Sequence, residues 1–189
     1  MLFLDRWRSE RQLQRKASHF VDAIESEPAA EDVAWLASTA TRGDDDHARW
    51  ELRYAKAALG LLVAQRDALD DRTASLVGRA LSDRFESDDR IDRDRRDLAG
   101  RQFNARLSAY RDAFGARASA ARGVLGQTLL AFAGGAFRNA DEQVARASAI
   151  LGGYEREANE ALRSVFGAAA LPEHVPPSAA LGGRADQAR

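Results

Sequence analysis

Apolar residues recur at steps of three and four along most of the chain, which is the spacing of an α-helix that buries one face. The clearest run lies between Asp44 and Leu81. Its two adjacent stripes are Trp50, Tyr54, Ala57, Leu61, Ala64 and Ala68, and Leu52, Ala55, Leu59, Leu62 and Leu69. The aspartates at 44–46 suit the free N–H groups and the positive end of a helix. This pattern predicts a central helix with neighbours on two sides, and Asp70 and Asp71 then begin another helix.

The same spacing predicts further helices on both sides of this pair. The first covers residues 5–26 and ends before Pro28, because the residue preceding a proline is driven out of the helical region. A shorter helix at about 30–40 is closed by Gly43, and others at 103–114 and 139–166 end at Gly115 and Gly167. The sequence therefore predicts an all-α fold, an irregular multi-helix bundle of about five to seven helices in one domain over residues 1–167.

Residues 83–101 are dense in charges of both signs and form what we call the charged arm. Acids precede bases by four residues at Asp89/Arg93, Asp92/Arg96 and Asp97/Arg101, which is the favourable order for pairs along a helix. The arm is therefore predicted to be helical and largely solvated, projecting beyond the core. Ser87 and the two aspartates after it are also typical of a new helix start, so continuity with residues 72–82 stays open. Arg93 and Arg96 are its candidate partner-binding residues.

Residues 123–137 carry no charge, and Val124, Leu125, Leu129 and Phe132 predict a short buried helix there. Gly134 and Gly135 break it. This segment is either core or a contact surface, and core is the simpler interpretation.

The two ends of the chain differ in character from the predicted helices. Near the N-terminus an apolar tip is followed by bases and an aromatic residue, a pattern typical of an interfacial anchor or of a plug in a partner's groove. Its candidate contact residues are Leu2, Phe3, Leu4, Trp7 and Arg8. Residues 168–189 are rich in proline, glycine and alanine and are predicted to be an extended tail that orders when a partner holds it. Its candidates are Leu171, Pro172, Val175, Pro176 and Pro177.

Composition argues against several classes of binding partner and excludes several kinds of functional site. The 28 basic and 29 acidic residues give a formal net charge of −1, so no global field attracts nucleic acid or an anionic membrane. The absence of cysteine excludes disulfides, thiolate metal sites and a cysteine nucleophile. The apolar start is too short for a secretory signal, and no apolar run approaches the roughly 20 residues that span a bilayer. A cytoplasmic protein, peripheral to a membrane or not, is the expectation.

Candidate catalytic and binding motifs are weak. His19, His47 and His174 occur without the Glu-x-x-His pairs of di-iron bundles, and His47 with Glu51 lacks further predicted ligands. No phosphate-binding loop, dinucleotide fingerprint or Gly-x-Ser-x-Gly elbow occurs. Aspartates interleave with the arginines of the charged arm and cancel the field that phosphate binding requires, so nucleic acid is not an expected partner. Neither a metal nor a cofactor is expected.

The pattern thus favours a non-enzymatic accessory or scaffold subunit that docks on a larger protein assembly, at the cytoplasmic face of a membrane complex. Its N-terminal anchor, charged arm and tail would supply three contacts. One alternative is a granule-coat protein of the phasin type, which would also be helical, alanine-rich and amphipathic. Another is a ligand-binding bundle or enzyme, which would need a solvent-filled interior lined by Glu51, Arg53 or Asn104.

Overall fold

The computed structural model describes residues 2–68, 71–115, 118–135 and 140–167, and for residues 2–7, 118–122 and 140 it describes the backbone alone. The α-helices in these ranges are α1 (Leu2–Ile24), α2 (Ala30–Thr39), α3 (Asp45–Asp67), α4 (Asp71–Ser87), α5 (Arg96–Phe114), α6 (Ala118–Phe132) and α7 (Ala140–Phe166). The described chain is an all-α multi-helix bundle with seven helices, as the sequence predicts.

Helix α3 is the centre of the bundle. Its side chains are buried without a break from Tyr54 to Ala64, and it packs against α1, α2, α4, α5, α6 and α7. The predicted cap is present, because the Asp44 carboxylate accepts a hydrogen bond from the backbone N–H of His47 at 2.9 Å. Before this cap, Gly43 adopts a φ of 86°, a conformation that glycine takes without strain. The predicted central helix is therefore confirmed, and α3 has neighbours on more than one side.

Helices α1 and α4 lie side by side and run parallel. Glu10 of α1 is 3.0 Å from Arg72 of α4, and Asp22 of α1 forms an ion pair with Arg84 of α4. The second pair lies the same number of residues further along both helices, so the two helices point in the same direction. Lys56 of α3 links the end of α1 to α7, because its Nζ is 2.8 Å from Ser26 Oγ and 2.9 Å from Glu157 Oε2. The middle of α7 therefore lies beside the end of α1.

Two glycines allow helices to approach closely. A Cβ added to Gly60 of α3 would lie 2.6 Å from Ile24 Cδ1 of α1. At Gly126 of α6 it would lie 2.5 Å from the backbone oxygen of Val144 in α7. Since real Cβ atoms do not approach that closely, both crossings depend on the missing side chain.

The uncharged segment belongs mainly to the core, which was the simpler of the two interpretations. Leu125, Leu129 and Leu130 are buried, and Gly134 takes a φ of 79° just after the helix ends. Val124 points outward and is 37% exposed. Positions 136 and 137 lie outside the described residues.

The charged arm is interrupted rather than one continuous helix. Helix α4 ends at Ser87, a 3-10 turn covers Arg93–Arg95, and α5 begins at Arg96. Asp88 and Ile91 are buried, so this part of the arm lies against the bundle instead of projecting from it. The three predicted acid–base pairs at four-residue spacing are not formed among the described side chains. Asp89 and Asp92 lie outside a helix, so they cannot share a helix face with Arg93 and Arg96, whereas Asp97 and Arg101 both lie in α5 and still form no ion pair.

Candidate functional site

A buried carboxylate and a guanidinium form the central polar contact of the bundle. Glu51 of α3 is 3% exposed, and Arg106 of α5 donates to both of its oxygens, with 2.9 Å between Nε and Oε2. This two-pronged contact satisfies the carboxylate and holds the guanidinium in the protonated form, which raises the pKa of Arg106 further. The arginine also lies over aromatic rings, 4.6 Å from the centre of Phe132 and 5.3 Å from that of Tyr54.

The buried phenol of Tyr110 lies close to this pair, and that of Tyr154 lies close to Tyr110. Tyr110 is fully buried, and burial raises the pKa of its hydroxyl well above the usual range, with the Glu51 carboxylate adding to the effect. Burial raises the pKa of Tyr154 in the same way. Within the described part of the chain, neither hydroxyl has a hydrogen-bond partner. These phenols stay protonated, so they cannot serve as bases near neutral pH.

The three residues on which a ligand-binding or enzymatic interior would depend do not meet in one cavity. Glu51 is held by Arg106, while Arg53 stacks on Trp50, with 4.7 Å from its guanidinium carbon to the ring centre. Arg53 Nη2 lies 3.6 Å from Asp88 Oδ2, and Asn104 is exposed. Their polar groups are therefore directed at different neighbours, whereas a substrate site needs several that converge on the same space.

The His47–Glu51 neighbourhood, considered above as a cation site, is organised as an ion-pair cluster. His47 Nε2 is 3.4 Å from Glu51 Oε1, and both oxygens of that carboxylate already face Arg106. A guanidinium in that position repels a cation. Among the described side chains, no group of three or more histidines and carboxylates has the arrangement of a metal site.

A second charged cluster ties the interrupted arm to the end of α1. Arg90 binds the buried Asp88 through Nε and Nη2, at 2.7 and 2.8 Å, and reaches Glu27 at 2.9 Å. Glu25 lies close by and 3.8 Å from Arg84. Burial, and then the negative charge of Asp88, raise the pKa of Glu25 to about 7. The contacts in this cluster hold the charged arm against the bundle.

The arm's two candidate contact residues have different surroundings. Arg93 is exposed on the 3-10 turn. Arg96 is partly buried at the first position of α5, and its Nε is shielded from solvent with no hydrogen-bond partner among the described atoms. Only Arg93 therefore offers its whole side chain to solvent.

The N-terminal half of α1, residues 2–16, is helical, and the part of it whose side chains are described, residues 8–16, contributes little to the core. From Arg8 to Lys16 no side chain is buried, and Ala17 is the first buried residue among those whose side chains are described. Phe166, the last residue of α7, has its ring 6.4 Å from that of Phe20, and Lys16 Nζ lies 5.9 Å from the same ring. Helix α7 thus ends level with Lys16. The preceding turns of α1 extend past it.

Exposed bases follow the outer side of this half of α1. Arg8, Arg11 and Arg15 are all exposed and stand on one helix face, which we call the basic face. Arg11 and Arg15 also line a shallow surface groove together with Gln14, Ser18, His19 and Asp22. Of these three arginines, only Arg8 is among the contact residues predicted from the sequence. The spacing of Arg8, Arg11 and Arg15 by three and four residues was the signal that would have found the other two.

The remaining predicted contacts divide between described and undescribed residues. The backbone at Leu2, Phe3, Leu4 and Trp7 belongs to α1. The tail residues Leu171, Pro172, Val175, Pro176 and Pro177 lie outside the described residues. None of the described helices is both long and apolar enough to cross a bilayer.

Comparison with known proteins identifies no relative of this chain. No family model matches the chain, and no curated protein or solved structure is detectably similar to it.

Proposed function

We propose that this protein is a non-enzymatic accessory subunit that docks on a larger protein assembly, at the cytoplasmic face of a membrane complex. Docking uses the N-terminal half of α1 as its main contact. The exposed 3-10 turn of the charged arm and the tail at 168–189 add weaker contacts, which raise the overall affinity by holding the chain close to its partner.

One observation carries the proposal: over about two and a half turns, from Arg8 to Lys16, no side chain of α1 is buried, and the helix backbone continues back to Leu2. The sequence just before this stretch is rich in large apolar residues, with Leu2, Phe3, Leu4 and Trp7 within two turns. Large apolar residues next to a helical stretch that buries no side chain are typical of a surface that another molecule covers.

The interior of the bundle supports the same proposal. Its central carboxylate and guanidinium satisfy each other, and the phenols beside them stay protonated. The contacts of Glu51 and Arg106 therefore account for their burial through packing and pairing alone. A reaction would need an unengaged group next to open space.

A pull-down with truncated chains tests the proposal. Full-length protein and chains lacking residues 1–8 or 168–189 are each tagged and used to retrieve partners from native membranes and cytosol. We expect the full-length chain to retrieve a defined set of proteins, and removal of residues 1–8 to lose most of it. If both truncated chains retrieve the same partners as the full-length chain, docking through the ends is wrong.

The granule-coat alternative makes a different prediction. A coat protein of that kind gains much of its structure on the granule, whereas the buried core around α3 predicts a stable fold in isolation. We therefore expect the purified chain to unfold in a single cooperative transition when followed by circular dichroism. A gradual, non-cooperative loss of helix would favour the granule-coat alternative instead.

A further inference from the structure

Glu25 is weakly paired for a carboxylate that is mostly buried. It directly follows α1, and its side chain is 11% exposed. Arg84 of α4 is the base beside it, but Arg84 Nε lies 3.8 Å from Glu25 Oε2, which is too long for a hydrogen bond. Arg84 is also shared with Asp22. The ionised form of Glu25 is therefore poorly compensated for the water that burial removes.

Residues 88–95 join α4 to α5 near this carboxylate, and we call them the arm segment. Its side chains hold it to the bundle. Asp88 Oδ2 is 3.6 Å from Arg53 Nη2 of α3, and Ile91 is buried. Arg90 Nη1 is 2.9 Å from Glu27 Oε1. Because the segment contains a 3-10 turn and no α-helix, it can detach while the helices on either side stay folded.

The charges around Glu25 balance only while Glu25 carries a proton. Three carboxylates and three guanidiniums, from α1 and the turn after it, α3, α4 and the arm segment, belong to this cluster: Asp22, Glu27, Asp88, Arg53, Arg84 and Arg90. Lys56 of α3, which contacts Ser26, is matched by Glu157 of α7. Ionised Glu25 therefore adds a fourth negative charge to three positive ones.

We propose that Glu25 controls the position of the arm segment through its proton: the segment stays against the bundle while Glu25 is protonated and detaches more often once Glu25 is ionised. Ionised Glu25 and the buried Asp88 repel each other, and detachment separates them and returns both to water. The arm segment is then a pH-sensitive element of the fold. This inference goes beyond the proposed function and does not rest on it, since it requires no partner.

The direction of the effect follows from proton binding. Burial, and then the charge of Asp88, raise the pKa of Glu25 from 4.5 to about 7 while the segment is in place, and Arg90 opposes this shift. Detachment removes the Asp88 charge and admits water, so the pKa falls back towards its ordinary value. Because the attached form binds the proton more tightly, its stabilisation is complete below pH 4.5 and is lost as the pH rises to about 7.

Amide hydrogen exchange of the full-length chain tests the proposal. Exchange is followed by NMR between pH 5 and pH 8 and corrected for the intrinsic rate of each amide. The reporters are the N–H of Ile91, which donates to the Asp88 carbonyl at 3.1 Å, and that of Arg95, which donates to the Asp92 carbonyl at 2.9 Å. The N–H of Leu59, in the buried part of α3, reports global unfolding.

Two variants separate the role of Glu25 from that of other carboxylates. Glu25→Gln keeps the shape of the protonated side chain at every pH. The control, Glu155→Gln, removes a carboxylate that pairs with Arg66 in the last turn of α3. Circular dichroism melts verify that both variants fold.

We expect the protection of both reporters to fall about 10-fold from pH 5 to pH 8 in the native chain and in the control, and to stay constant in Glu25→Gln. Both reporters should exchange faster than Leu59 throughout. Protection that does not change with pH in the native chain would overturn the inference, because Glu25 would then ionise without moving the segment. The same pH dependence in Glu25→Gln, or reporter rates equal to that of Leu59, would also overturn it.

Discussion

The buried pair of Glu51 and Arg106 allows a quantitative test of how the interior is stabilised. The perturbations are Glu51→Leu, Arg106→Met and the double variant. In the native protein the carboxylate is 3% and the guanidinium 13% exposed. Each single variant leaves one charge without its partner inside the bundle, whereas the double variant leaves none.

The expected magnitudes follow from these exposures. Removing one partner of a buried pair costs about 3 to 5 kcal/mol, and Arg106→Met should reach that range because the stranded carboxylate is the more deeply buried charge. Glu51→Leu should cost less, about 2 to 3 kcal/mol, since a long arginine can turn its head towards solvent. The double variant should lie within about 1 kcal/mol of the native protein, because apolar side chains of similar size fill the same space.

Urea denaturation at pH 7, followed by circular dichroism, gives the four free energies of unfolding and hence the coupling energy. The surface pair of Arg66 and Glu155, with side chains 46% and 33% exposed, is the matched control. Its coupling energy should be at most about 1 kcal/mol. If the inner pair couples no more strongly than this control, our account of the interior is wrong. A double variant as unstable as the single ones would also contradict it.

Three further perturbations test local features of the fold by chemical denaturation. Gly126→Ala should lower the free energy of unfolding by about 1 to 3 kcal/mol, because its Cβ would meet the Val144 backbone, whereas Gly123→Ala, with open space around it, should raise it by about 0.5 to 1 kcal/mol. Asp44→Ala should cost about 1 kcal/mol through the lost cap. Since the pKa of Glu25 rises from 4.5 to about 7 on folding, the native state binds its proton more tightly and stability falls as pH rises between these values. Glu25→Gln should therefore raise stability at pH 8 by about 1 to 2 kcal/mol and leave it unchanged near pH 4; a flat difference between the two proteins across this range would contradict the assignment.

The candidate contact site was only partly accessible from the sequence. The apolar start of the chain and Arg8 are evident from local composition, and the spacing of Arg11 and Arg15 was open to inspection. The lack of buried side chains from Arg8 to Lys16 was not, because it depends on where α7 ends, level with Lys16. A helix stripe has the same appearance in the sequence whether or not a neighbour reaches it.

Local sequence by itself determined the elements of the fold. The three- and four-residue spacing of apolar positions, the Asp44 cap and the glycines at 43 and 167 act over one or two turns, so they specify helices and their ends without knowledge of the neighbours. These signals were enough to predict the helical bundle.

The tertiary structure decided which charges meet and which become buried. Glu51 and Arg106 are 55 positions apart in the chain, and nothing in either neighbourhood marks the other as its partner. The charged arm lies against the bundle because Asp88 contacts Arg53 there and Arg90 contacts Glu27, although the composition of the arm alone is typical of a solvated helix. Polar contacts are directional and specific to distance, so they are settled only when packing has brought the helices together.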